Sequence, residues 1–238
     1  ELLNAPAIEL YRQHGIDLAN EALEIAVCAQ HNNGGLAANI WWESENIKGL
    51  FPIGEVNGSH GVTRPGGTAL NAGQVGAFRA AEFIAAMRQY EPVNIEDAAW
   101  LANSQLEVFR KRMLVPAKLS WREERRKFQT RMSESAAFVR EERMLAKALA
   151  ETREQLAQLN ADGLGGLDSR ALAETLRNSQ LLTAQVLYLE AMRKQVCDGV
   201  GSRGSSIVIA DRGEYIHPSL LPYWQIEKEN TSFRGKVL

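Results

Sequence analysis

Cysteine is almost missing from this sequence. The 238 residues hold two, Cys28 and Cys197, which form neither a CxxC pair nor a disulfide framework. Both are expected to be buried, reduced thiols of a cytosolic protein. No apolar run approaches the ~20 residues that span a bilayer, and no signal-peptide pattern opens the chain. With 27 Lys and Arg against 29 Asp and Glu, the net charge is −2. That gives no overall electrostatic case for nucleic acid or an anionic membrane. No HxH, HExxH or Cys/His cluster supports a metal site, and there is no GxSxG or P-loop. Internal repeats and low-complexity tracts are absent as well. The first residue is Glu1 rather than Met, and the chain is expected to be a piece of a longer protein.

What is present is ordinary in amount, 45% hydrophobic and 24% charged, and sufficient for one large or two small domains with a real core. Ala5 to His14 predicts a short helix stopped by Gly15, with His14 placed to cap its end. Alternation over Glu21 to Gln30 predicts a strand, followed by a glycine-bearing loop, His31 to Gly35. Asn39 to Glu43 and Leu50 to Ile53 predict two more strands, joined by a polar turn at Glu45 to Gly49. Thr68 to Arg88 predicts a helix whose first half is crowded with small residues, suited to close packing.

Beyond Glu91-Pro92-Val93 the pattern is helical: Asn94 to Leu114, then one long or once-broken helix over Leu119 to Leu159, then Leu172 to Val196. Phe128, Met132, Ala136 and Val139 form one apolar stripe; Leu182, Val186, Leu189 and Val196 form its partner. Such stripes are core seams of an antiparallel bundle, with the loop at Asn160 to Gly166. The mixed run Arg122 to Lys127 predicts a solvated face with i,i+4 pairing. A short β-like run, Ile207 to Ile209, precedes a tail with His217 in a surface loop and room for one strand at Tyr223 to Ile226. The fold class expected is α+β, predominantly helical.

The chemistry concentrates in Gly49 to Gln74, GLFPIGEVNGSHGVTRPGGTALNAGQ. Its order is apolar segment, glycine-rich turn with one His and one Arg, then a helix start. A helix N-terminus and glycine-borne backbone N–H groups suit an anion. Arg64 sits at the mouth of that helix, where its planar fork fits a carboxylate or forms a surface salt bridge. His31 and His60, each in a glycine-containing loop, are the other candidates.

Gly49 to Glu55, with Ser59 to Leu70, resembles the segment that closes the FAD site in the succinate dehydrogenase/fumarate reductase flavoprotein family. That family includes L-aspartate oxidase and the α chain of adenylylsulfate reductase. Gln30 to Gly35 resembles its substrate loop. Phe128 to Arg140, Ala173 to Asn178 and Ser202 to Ser205 resemble three motifs of its helical part. The resemblance implies FAD as cofactor and hydride transfer between flavin N5 and a carbon of a small carboxylate substrate, of fumarate or succinate type. It implies that Arg64 and His31 grip and polarise substrate as catalytic residues, with His60 also substrate-binding. Gly54 and Glu55 are implied beside the FAD hydroxyls, and Thr68, Ala69 and Leu70 at the flavin's pyrimidine edge, where negative charge gathers on reduction.

Departures from the pattern include Thr63, Pro65, Thr68 and Ala69, and the last motif has Ser206 where a His is usual. The implied division is the end of a cap domain with the substrate loop (1–35), the last part of an FAD-binding domain (36–90), a helical bundle (91–200) and a tail (201–238). A separate electron-transfer protein of the same complex is an implied partner, and the location cytoplasmic, with any membrane association made through partner proteins. The dinucleotide fingerprint would lie upstream, so this stretch alone is expected to bind FAD weakly or not at all. Two other readings stand beside this one: a helical protein-interaction module without catalysis, and a family reductase acting on an inorganic sulfur substrate.

Overall fold

A computed structural model describes residues 4–25, 35–58, 67–87, 94–204, 206–217 and 225–234. The chain divides into two units, Glu1–Gln30 and His31–Leu238.

In the first unit, α1 (Ala5–Gln13) starts with a proline in its first turn, where a missing N–H costs nothing. It ends at Gly15, with the Gly15 N–H bonded to the Arg12 carbonyl and the Ile16 N–H to the Tyr11 carbonyl. That pairing closes a helix C-terminus through a glycine. His14 Nδ1 lies 2.8 Å from the Leu10 carbonyl, so the histidine caps the helix as its position predicts. Asn20 and the Ala19 N–H both donate to Asp17 and hold its carboxyl below the usual range. The strand expected from Glu21 does not form over residues 21–25. Leu23 and Ile25 are exposed, and alternation without a pairing partner does not make a strand. The rest of that expectation, 26–30, lies outside the described residues.

The second unit contains the remaining elements. Neither Asn39 to Glu43 nor Leu50 to Ile53 forms a strand. Asn39 overrides the β-propensity of Trp41 and Trp42 by accepting from the N–H groups of Trp41 (2.9 Å) and Glu43 (3.1 Å), an Asx turn. An isolated bridge, Ala38 to Ser44, closes it. Glu45 to Gly49 is the expected turn, tied by Ser44 Oγ to the Asn46 and Ile47 N–H groups. Residues 50–53 run on without a ladder into a short 3-10 turn, Gly54–Val56, and then α2 (Thr68–Met87).

After α3 (Ile95–Met113), capped by the Asn94 side chain, the long or once-broken helix expected over Leu119 to Leu159 is broken once. α4 (Trp121–Ser135) ends, β1 (Val139–Arg140) intervenes, and α5 (Glu142–Ala161) reverses direction. Val139 therefore leaves the helical stripe and joins a sheet. α6 (Ser169–Cys197) starts on Asp168, whose side chain accepts from the Ala171 N–H. The tail supplies β2 (Ile207–Tyr215) and β3 (Gln225–Ile226). Sheet order is β1-β2-β3, with β1 parallel and β3 antiparallel to β2. The architecture is α+β and predominantly helical.

α4 and α6 run parallel, and both are antiparallel to α5. The apolar core comprises Leu145, Ala148, Leu149, Leu189, Val196 and Val208 at one end and Phe128, Leu159 and Leu182 at the other. Each fully buried leucine contributes roughly 2 kcal/mol through loss of water contact. On α6, Thr175, Leu182, Leu189 and Val196 recur every seven residues, and all are buried; that repeat keeps one seam facing its neighbours.

Polar rungs cross this seam. Asn178 donates to the Trp121 carbonyl (2.8 Å), Gln155 to that of Glu124 (2.9 Å) and Gln185 to that of Phe128 (2.9 Å). Gln185 in turn accepts from Thr152 (2.9 Å) and Arg131 (3.2 Å). The charge run expected to be solvated is thus partly buried. Glu124 is 4% exposed and receives Gln155 (2.8 Å), and Arg125 binds Asn178 and Glu174. Helices α5 and α6 cover what looks in sequence like a surface. Cys197 is exposed rather than buried; Cys28 lies outside the described residues.

The α5–α6 loop is locked onto the α3–α4 connection. Asp162 accepts from the N–H groups of Lys118 and Leu119, both at 3.1 Å, and Arg112 caps the carbonyls of Leu159 (2.8 Å) and Asp162 (2.9 Å). A Cβ on Gly163 would stand 2.1 Å from the Val115 carbonyl oxygen, so only glycine fits.

Candidate functional site

Three pieces of chain meet at the Gly54–Val56 turn. On one side the Leu36 N–H donates to the Val56 carbonyl (3.0 Å), and Asn57 Nδ2 donates to that of Leu36 (3.3 Å). Leu36 and Asn57 form a parallel bridge, with Asn57 buried. This ties Leu36 to the turn that carries Glu55. On the other side the turn meets α2: a Cβ built on Gly73 would lie 3.7 Å from the Gly54 Cα. The turn and the helix thus stand close, at a separation where a Cβ would make ordinary van der Waals contact.

The expected site residues divide accordingly. Gly54 opens the turn at φ +80°, and Glu55 is half-buried within it. Thr68 and Ala69 begin α2 half-buried, and Leu70 is 76% exposed. Helix geometry leaves first-turn N–H groups without an acceptor inside the helix, with partial positive charge at that end. The structure brings Gly54 and Glu55 together with the early turns of α2 that Thr68, Ala69 and Leu70 begin. His31, His60 and Arg64 lie outside the described residues.

The structure adds residues that motif reading passes over. Gly76, one turn beyond Gly73, faces the Trp42 indole. Trp41 stacks on Phe83 with centroids 5.8 Å apart, and the Arg79 guanidinium lies 5.2 Å over its ring. Phe51 joins Phe83 at 6.2 Å. The spacing 73, 76, 79, 83 is the signal that the sequence offers, because it places those residues on one helical face.

A groove of about 630 Å³ lies elsewhere, between α4 and α5. Its charges neutralise one another: Lys127 pairs with Glu124, and Arg131 and Lys147 both pair with Glu151. It has no convergent set of one charge and lacks the features of a substrate site. Among the described residues no three His, Cys, Asp or Glu side chains cluster as a metal ion requires. No described helix is long and apolar enough to cross a membrane.

Two curated proteins are similar in sequence to this chain. One is a component of the fumarate reductase (CoM/CoB) of Methanothermobacter marburgensis, 29% identical over 194 residues, 78% of this chain and 34% of that protein. The other is an uncharacterized FAD-dependent oxidoreductase of Methanocaldococcus jannaschii. It is 47% identical over 62 residues, 26% of this chain and 11% of that protein. The aligned part of the chain thus spans about a third of the length of the first relative and a smaller share of the second. No protein-family model matches the chain.

Proposed function

We propose that this chain contributes one wall of an FAD site in an oxidoreductase that transfers hydride between flavin and a small carboxylate-bearing substrate of fumarate or succinate type. The observation that carries the reading is the Gly54–Val56 turn, which touches Leu36 on one side and α2 on the other. That arrangement suits the cofactor. The Gly54–Gly73 contact brings the turn against α2, and the start of α2 is an end at which negative charge is stabilised. Glu55, an acceptor-only group when ionised, suits the cofactor's hydroxyls. Thr68, Ala69 and Leu70 would present backbone N–H groups to the flavin's pyrimidine edge. The flavin, when bound, supplies the hydride chemistry.

The chain's own residues would do the rest. Arg64 would hold a substrate carboxylate bidentately and polarise the adjoining bond, with His31 and His60 completing the grip. The division into cap and substrate loop (1–35), FAD-binding part (36–90), helical bundle (91–200) and tail (201–238) belongs to the same proposal. So do a cytoplasmic location and a separate electron-transfer protein as partner; the Methanothermobacter relative, named as one component of a multi-chain reductase, supports the latter. In a flavin-loaded enzyme containing this chain, Arg64→Lys is expected to cut dicarboxylate turnover by roughly 10²- to 10³-fold, the scale of losing one electrostatic stabiliser. An unchanged rate removes Arg64 from the mechanism.

A further inference from the structure

We infer that Trp42 is a positioning residue: its indole, lying across Gly76, sets where α2 stands against the Gly54–Glu55 turn and hence where the N-terminus of α2 is aimed. The consequence for flavin rests on the function proposed above; the positioning itself does not.

Among the described residues Trp42 is the one non-glycine in the left-handed region, at φ +66°. That backbone is unfavourable for a bulky side chain and persists only where the surroundings enforce it. Here they do. The Trp42 N–H donates to the Asn39 carbonyl (2.9 Å), while the Asn39 side chain accepts from both flanking N–H groups. The indole is thereby delivered onto α2 at the point where the helix has no side chain. A Cβ on Gly76 would lie 2.8 Å from Trp42 Cε2 and 3.0 Å from Cδ2.

The neighbouring contacts run along the same face of α2. Gly73 meets Gly54 one turn before, and Arg79 and Phe83 meet Trp41 on the turns after. All these partners belong to residues 41–54. A helix gripped at four points along one face can neither roll nor slide without breaking several contacts together. The aromatic contacts at 79 and 83 tolerate sliding, because ring faces are broad. The contact at Gly76 does not, because it is an excluded-volume fit to a backbone-locked indole.

The test uses Gly76→Ala, Trp42→Gly and the double variant. Trp42→Gly removes the indole and relieves the left-handed backbone. In the 238-residue chain, amide exchange over residues 69–73 is expected to speed up about tenfold in either single variant, with α5 and α6 unchanged. In the flavin-loaded enzyme, Gly76→Ala is expected to raise the FAD Kd about tenfold and make the flavin potential more negative. Added to Trp42→Gly, the same alanine is expected to cost less than about twofold more, because the clash is gone. Fully additive losses, or a Gly76→Ala chain with wild-type exchange at 69–73, overturn the inference. A wild-type enzyme that takes up no FAD overturns the flavin reading instead, leaving positioning to be judged on exchange.

Discussion

In the α4–α6 bundle, register is held by side-chain amides that reach across to backbone carbonyls of α4. Along α2 it is held by a side chain that is missing, at Gly76, so that an indole can settle against the helix. The first device is specific because leaving a buried carbonyl or amide unpaired is costly. The second is specific because two atoms cannot share a space. Hydrogen-bonded rungs stabilise a fixed assembly, whereas a steric fit fixes position with little net attraction. The bundle accordingly suits a scaffold, and the clamp suits a segment whose job is to aim something.

Three substitutions would break or sharpen that contrast, from large to small effect. Leu189 is fully buried on α6, and Leu189→Ala is expected to cost about 3 kcal/mol in urea unfolding through the cavity left behind. Amide exchange over 69–73 should not change at the same time; if it does, bundle and clamp are one cooperative object. Gln185→Leu keeps the volume but strips the Phe128 carbonyl, Thr152 and Arg131 of a shared partner. A loss of about 1–3 kcal/mol is expected, and stability equal to wild type would show that the rungs do not hold register.

The smallest effect is confined to acid. Arg125, by its hydrogen bond, holds the Glu174 carboxyl below the ordinary range, with Arg177 adding to it. A depressed folded pKa gives stability that is present above the unfolded value, about 4.5, and lost as pH falls through the folded one. Wild type should therefore lose more stability than Glu174→Gln from about pH 4.5 downward, measured by urea midpoints across that range. Parallel pH curves for the two proteins would show that the Arg125 contact has no energetic weight.

The helices are legible in the sequence because their signals are local. Gly15 marks the end of α1, Asn94 stands at the start of α3, and the apolar spacing of Leu182, Leu189 and Val196 marks α6, whose Asp168 cap lies ahead of the start expected at Leu172. Two kinds of information are not. Trp41-Trp42 reads as strand by propensity, and only Asn39 two residues earlier, turning its own side chain onto the neighbouring N–H groups, decides otherwise. Glu124 and Arg125 read as solvated because sequence shows their helix but not the two helices packed over it. At the site, motif reading singles out Gly54, Glu55 and the start of α2, which the structure brings to one junction. It passes over Trp42 and Gly76 because neither carries chemistry. They matter by shape, which no residue type announces.

The pairing of β1 with β2 has a consequence for the order in which the molecule assembles. Val139 meets Ile207 and Arg140 meets Val208, so the two strands close a loop containing the whole α5–α6 hairpin. A parallel pairing of two residues cannot form until that hairpin has brought its ends together, since the closure entropy is recovered only then. The tail is thus a latch that engages last. Exchange at the Ile207 amide, which donates to the Phe138 carbonyl (2.8 Å), would time the completion of the bundle from a point outside every helix.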